Sequence, residues 1–422
     1  MNDRFDEKRL LLLGGSKPYV KIAKAAKRLG VHVIVVDKNA TEEILSLCDE
    51  YLKLSLLDIR GITEWCEQNR IDGVINYCVD FAQRTYWELC NTFDLPCCYV
   101  KKQVDTLANK SEFKKLLVEC GLDIVHSYSE LDVHTDKVSY PVIIKPAESS
   151  GSRGASICYG KDNAIAAIEI AKAESRNGDI IIEDFIREAQ EVQLTYFLTN
   201  GKIRLIRTAD SYTGEKSDKL DRVVACAISP SRFTEHYLND THGAVMKMIE
   251  KLELQNGPFF MQGFYHDGKF KFFDPGCRFP GVDYDSIYID EFGVDLAEYM
   301  VRFALSGKMP DNMISEDLYA LHGKKAAVLF PVMKAGVINS ISGLEELRAN
   351  KSVFSVSQRH RVGDTVEFTY NVDQRFGEID ILASSLQELK VRIVEVQNTL
   401  SVKGLDGQEM IYSLFDVERI VQ

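Results

Sequence analysis

The chain has 422 residues, 45% of them hydrophobic and 27% charged, with a formal net charge of −12 at pH 7. That length suits two to four globular units, and the acidic balance argues against a general grip on nucleic acid while leaving room for a local basic site. No run of about 18 apolar residues is present to cross a membrane as a helix, and the acid-containing start MNDRFDEKRLLLLGG reads as a first strand, not a secretory leader.

Residues 9–100 alternate strand and helix. RLLLLGG, VHVIVVD, CDEYLKLS and IDGVINY read as strands. PYVKIAKAAKRLG, IRGITEWCEQNR and FAQRTYWELCNTF read as helices. Short apolar strands between helices predict a parallel sheet covered on both faces. KKQVDTLANKSEFKKLLVECGL, from 101, is helix-rich with a glycine stop. From 138 to 235 strands with charged loops take over, interrupted by the helix NAIAAIEIAKAES. A helix follows at 240–255, and FFMQGFY-HDGK-FKFFD reads as a hairpin on a tight Asp-Gly turn. A helix near 294–306 closes this part. The last hundred residues mix strands with the helices LEELRAN and LQELKVRIVEVQNTL, a small α+β cap. The ten cysteines are scattered, with no CxxC and no zinc spacing. They read as free thiols packed like small hydrophobes in a reducing cytoplasm.

The stretch PVIIKPAESSGSRG, 141–154, carries the first chemical signal. A buried strand ends on Lys145 and runs into a loop of small, polar residues. An ammonium beside flexible backbone N–H groups suits phosphate. The P-loop pattern GxxxxGK[ST] is absent, since here the lysine precedes the glycines.

Further along the chain the signal becomes specific through order. NKSEFKKLLVECGL carries Lys110, YPVIIKPAESSGSRG carries Lys145, and IIIEDFIREAQEV carries Glu183 and Glu191. FFMQGFYHDGKFKFFDPGCRFPG carries Gln262, Asp274 and Arg278. Over roughly residues 1 to 310 these stretches resemble the ATP-grasp superfamily, including its carbamoyl-phosphate-synthase-like members. The β-rich tail resembles biotin-carboxylase-like and amino-acid-ligase-like members. The resemblance implies an α/β and α+β fold with ATP-grasp architecture. An N-terminal parallel α/β domain spans 1–100. The ATP-grasp domain spans 101–312, with a lid at about 125–200, and a C-terminal β-rich cap spans 313–422.

The site implied by the resemblance is as follows. Lys110 and Lys145 hold the phosphates of ATP as point charges. Ser149, Ser150, Gly151, Ser152, Arg153 and Gly154 fold over them as a lid. Glu183 and the backbone near Phe185 meet the adenine, and Glu191 the ribose. Gln262 and Asp274 hold Mg²⁺ or Mn²⁺. Arg278, with Lys145, acts on the transferring phosphoryl group. The family more often has Glu at 262 and 274 and Asn at 276, where this chain has Gln, Asp and Gly. A weaker metal site follows.

The implied activity is an ATP-dependent carboxylate–amine ligase, forming an amide through an acyl phosphate and releasing ADP and phosphate. The alternatives are a carboxyphosphate-forming carboxylase and an ATP-binding protein with weakened catalysis, acting as sensor or assembly subunit. Expected partners are small carboxylates and amines, with neither nucleic acid nor membrane, in a cytoplasmic protein; homodimers are the commonest soluble assembly. RTADSYTGEKSDKLDR and FPGVDYDSIYID are candidates for the substrate lining. The Gly-Gly turn and Asp37 outline a dinucleotide fold, but GxGxxG is missing. Ser16 and Lys17, at the start of the next helix, are a candidate anion contact.

Overall fold

A computed structural model describes residues 4–147, 154–175, 178–187, 189–214, 223–282, 286–310, 314–369, 372–412 and 414–421. The N-terminal strands Arg9–Leu13, His32–Val36, Glu50–Leu52 and Gly73–Ile75 form a parallel sheet with the third strand at one edge and the fourth at the other. Leu10 to Leu13 and Val33 to Val36 are fully buried, as expected where helices cover both faces. Gly14 has φ +141°, and a Cβ there would lie 2.4 Å from the Tyr19 ring. Asp37 accepts a hydrogen bond from Gly15 N at 2.8 Å. The Gly-Gly turn and its acid therefore serve each other and the helix Tyr19–Arg28. Lys17 is paired with Glu43 at 2.7 Å, which engages one of the two residues expected to meet an anion.

A second sheet is small and antiparallel, in the order Ser127–Tyr128, Ile180–Asp184, Val142–Pro146, Ser156–Cys158. Ala164, Ala167, Ile168 and Ala171, on one side of the helix Lys161–Glu174, pack on it as a separate apolar cluster. The largest sheet has eight strands. Lys269–Gly276 lies at one edge, followed by Gly257–His266, Gln190–Thr199, Lys202–Thr213, Val224–Ser229, Lys325–Leu329, Gly377–Ala383 and Val353–Gln358. Three of these strands come from the last hundred residues. The expected cap therefore continues the central sheet, because its apolar strands complete the edge left by Val224–Ser229. Two helices, Thr234–Asp240 and Ile287–Phe292, stand where the sequence reads as strand or loop.

The hairpin turn is Asp267-Gly268, with φ of 50° and 74°, the two left-handed residues of a type I′ turn. Its register places Gln262 opposite Asp274 on one side and opposite Gln193 on the other. Glu191 lies two residues from Gln193, so strand alternation brings Asp274, Gln262 and Glu191 to one face of the sheet.

Candidate active site

Lys145 stands near the end of Val142–Pro146, where Val142 and Ile144 are buried and hold the strand against the Lys161–Glu174 helix. Its ammonium is 2.9 Å from Glu183 Oε2. A second lysine, Lys114, pairs with Glu183 Oε1. It also donates to Val125 O at 3.2 Å and to Ser127 Oγ. Glu183 is only 3% exposed. Burial by itself raises a carboxyl pKa, but the charges and hydrogen bonds of Lys145 and Lys114 outweigh it, and Glu183 sits below its ordinary value.

Lys110 begins the helix Lys110–Glu119, which Asn109 caps by accepting from Ser111 N and Glu112 N. The Lys110 ammonium lies 3.5 Å from Ala147 O, two residues past Lys145. Burial lowers its pKa, while the nearby carboxylate of Asp274 acts in the other direction. Asp274 in turn is raised by burial and lowered by Arg278, Lys110 and Lys145. The Lys145 ammonium is 5.7 Å from the centre of the Phe273 ring. Lys110, Lys145, Glu183, Asp274 and Arg278 thus share one electrostatic environment, although they come from four separate stretches of chain.

Arg278 follows the hairpin and reaches back to the short helical turn Asp80–Ala82 beyond the N-terminal sheet, where its Nε donates to Asp80 Oδ1 at 3.0 Å. Its guanidinium also lies over Phe260, 5.3 Å from the ring centre. Gln262 Nε2 donates to Glu191 Oε1. Burial raises the Glu191 pKa, and that hydrogen bond opposes the rise. The expected contact of Glu191 with a ribose must therefore compete with Gln262.

Among the described residues no group of three or more His, Cys, Asp or Glu side chains could hold a metal. Gln262 donates from its NH₂ to Glu191, so its amide oxygen is the atom it could offer a cation, and Asp274 is its ladder partner on the next strand. One carboxylate and one amide oxygen fit Mg²⁺ carried in by phosphates, which usually keeps waters and takes only one or two protein carboxylates.

Ser149, Ser150, Gly151, Ser152 and Arg153 lie outside the described residues, as do 215–222 and 283–285 of the candidate substrate lining. Gly154 has φ +69° and sits so close to Pro146 and Glu174 that a Cβ would lie 2.9 Å from Pro146 Cγ. Phe185 N donates to Pro141 O at 3.0 Å, so only its carbonyl is left for a base.

Four residues escaped the sequence reading. Lys114 carried a signal, being one helical turn after Lys110 and hence on the same face. Asp80 follows a strand end, a common place for a functional acid in parallel sheets. Arg375 and Glu378, from the distant tail, carried none. The Arg375 guanidinium lies 4.1 Å from the Phe330 ring centre, and its Nε is buried without a hydrogen-bond partner among the described residues. Burial lowers its pKa to about 10, with Glu378 and Glu191 opposing.

Comparison with known proteins bears on the fold and on the 101–256 segment. The family model of the carbamoyl-phosphate synthase L chain, ATP binding domain, matches residues 101–256. A formate-dependent phosphoribosylglycinamide formyltransferase of Prochlorococcus marinus (strain NATL2A) is 23% identical over 398 residues, covering 90% of this chain and 98% of the relative. The L-amino acid ligase of Bacillus licheniformis superposes with a TM-score of 0.75 at 18% identity, covering 94% of this chain and 99% of that one. The biotin carboxylase domain of Hydrogenobacter thermophilus 2-oxoglutarate carboxylase, solved with MgADP and bicarbonate, gives 0.76 at 15% identity, covering 94% of this chain and 91% of that one. The family-model match makes residues 101–256 similar to the ATP-binding domain of the carbamoyl-phosphate synthase L chain, and the chain as a whole shares the fold of these ATP-grasp ligases.

Proposed function

We propose that the protein joins a small carboxylate to an amine, with ATP cleaved to ADP and phosphate. The observation that carries this reading is that Asp274 feels the charges of Arg278, Lys110 and Lys145, which come from three separate stretches of chain. Two ammonium groups from separate elements suit a triphosphate. Asp274 and the Gln262 amide oxygen would hold Mg²⁺, which would supply neutralisation of phosphate charge.

The chain's own residues orient and neutralise. Lys110 and Lys145 fix the phosphates. Arg278, held by Asp80, presents its guanidinium to the phosphoryl group as the substrate carboxylate attacks and ADP leaves. An amine then attacks the acyl carbon, phosphate leaves, and the amine loses a proton. Such catalysis is positioning and electrostatic stabilisation. We place the nucleotide in the 101–312 unit, between the small sheet and the hairpin. The acceptor belongs on the side where Asp80, Arg375 and Glu378 approach from the N-terminal domain and the tail. The substrates are small molecules, and a cytoplasmic location suits them; among the described residues no helix is long and apolar enough to cross a membrane.

ADP release in the presence of Mg²⁺, measured against pooled amino acids, dipeptides and small carboxylic acids, tests the proposal. Turnover that needs both an acid and an amine supports it, whereas bicarbonate-dependent release without any amine points to a carboxylase. One observation favours a second reading. The Gln262 amide is engaged with Glu191, and Asp274 stands as the one carboxylate at the expected metal position. An ATP-binding protein with weakened catalysis has this composition, and tight MgATP binding without turnover across the panel identifies it.

A further inference from the structure

Glu183 holds two lysines where one would neutralise it, and the two are bound differently. Lys114 is spent: its three N–H donors match three acceptors, Glu183 Oε1, Val125 O and Ser127 Oγ. Lys145 has a single such partner among the described residues, Glu183 Oε2 at 2.9 Å. Both ammonium groups are largely buried, with side-chain exposures of 14% for Lys114 and 16% for Lys145. Of the pair, Lys145 is the one whose movement costs fewer bonds.

We propose that Lys114 is a positioning and specificity residue. It stays on Glu183 when Lys145 turns to a bound phosphate, and so keeps that carboxylate ionised toward the base. The inference rests on the reading of Lys145 and Glu183 as nucleotide contacts. If Lys145 left and no other cation remained, a carboxylate only 3% exposed would be driven to its neutral form by burial. The charge of Lys110 also acts between it and Glu183. The adjacent Asp184 is turned away onto the Tyr128 hydroxyl at 2.8 Å.

Charge state matters for base choice. An ionised carboxylate only accepts hydrogen bonds, whereas a protonated one also donates. Adenine offers an amino group at the edge where guanine offers a carbonyl. An ionised Glu183 therefore selects adenine, and a neutral one relaxes the choice.

Calorimetric titration of the full chain with MgADP and with MgGDP tests this. Lys114→Met is expected to weaken MgADP at least tenfold and to shrink the ADP-to-GDP preference at least tenfold. Lys114→Arg should keep the preference, and in a Glu183→Gln background Lys114→Met should change it no further. If Lys114→Met does not fold, Lys114→Gln takes its place with the same expectation. An equal loss for both nucleotides, or no loss, overturns the inference. Unchanged MgADP affinity in Lys145→Ala instead overturns the nucleotide site itself.

Discussion

Replacing Lys145 with methionine removes the ammonium and keeps most of the side chain's bulk. Removing one partner of a buried ion pair typically costs about 3–5 kcal/mol, because the other charge is stranded. Here Glu183 keeps Lys114, so the loss falls nearer a single charge-assisted hydrogen bond, about 1.5–3 kcal/mol. A domain stable by about 5–15 kcal/mol tolerates that and stays folded. Glu183 lies below its ordinary value in the native protein. Its stabilisation is therefore present above the unfolded carboxyl pKa of about 4.3 and is lost as pH falls through the lower folded value. The stability gap between wild type and Lys145→Met should be full at pH 7 and close as the pH drops below about 4. Turnover should suffer more: removing one preorganised donor to developing charge costs about 10²–10³-fold. Urea unfolding across pH gives the first quantity, and ADP release the second. ADP release within threefold of wild type, with the stability loss intact, would show Lys145 to be a counter-ion for Glu183 and nothing more.

Gln262→Glu sets a carboxylate against Glu191 in place of the amide donor; the nucleotide-free protein should lose about 1–3 kcal/mol, while MgADP binding should saturate at lower Mg²⁺. An unchanged Mg²⁺ titration removes Gln262 from the metal site. Gly263→Ala puts a Cβ 2.7 Å from Lys271 O and 2.8 Å from the Phe272 ring, and the strain should lower stability by about 1–3 kcal/mol and disturb the hairpin carrying Asp274, both measurable by thermal unfolding with and without MgADP. Arg278→Lys gives up the planar fork that reaches Asp80 and stacks on Phe260, so ADP release should fall at least tenfold with MgADP affinity changed less than threefold. Chelation of Mg²⁺ should abolish turnover but leave the unfolding midpoint of the nucleotide-free protein in place, since Asp274 and Gln262 are the expected metal contacts and neither cross-links the fold.

Local patterns in the chain carried the parallel sheet, the Asp-Gly hairpin and the helix Lys161–Glu174, because periodicity and turn chemistry act over a few residues. The order Lys110, Lys145, Glu183, Glu191, Gln262, Asp274, Arg278 was also legible, not because any one motif is specific alone but because the four stretches that carry them follow one another in a fixed sequence. What no local pattern holds is which charge meets which. Only the tertiary structure decided that Glu183 is shared by Lys114 and Lys145, that Gln262 is tied to Glu191, and that Asp80, 198 residues away, takes Arg278. The tail shows the same limit: its strands read as a separate cap, yet three of them extend the eight-stranded sheet, which places Arg375 and Glu378 near residues almost two hundred positions earlier. A strand's own sequence records which face is buried. It does not record which neighbour supplies the hydrogen bonds along its edge, and that choice is made by the folded sheet.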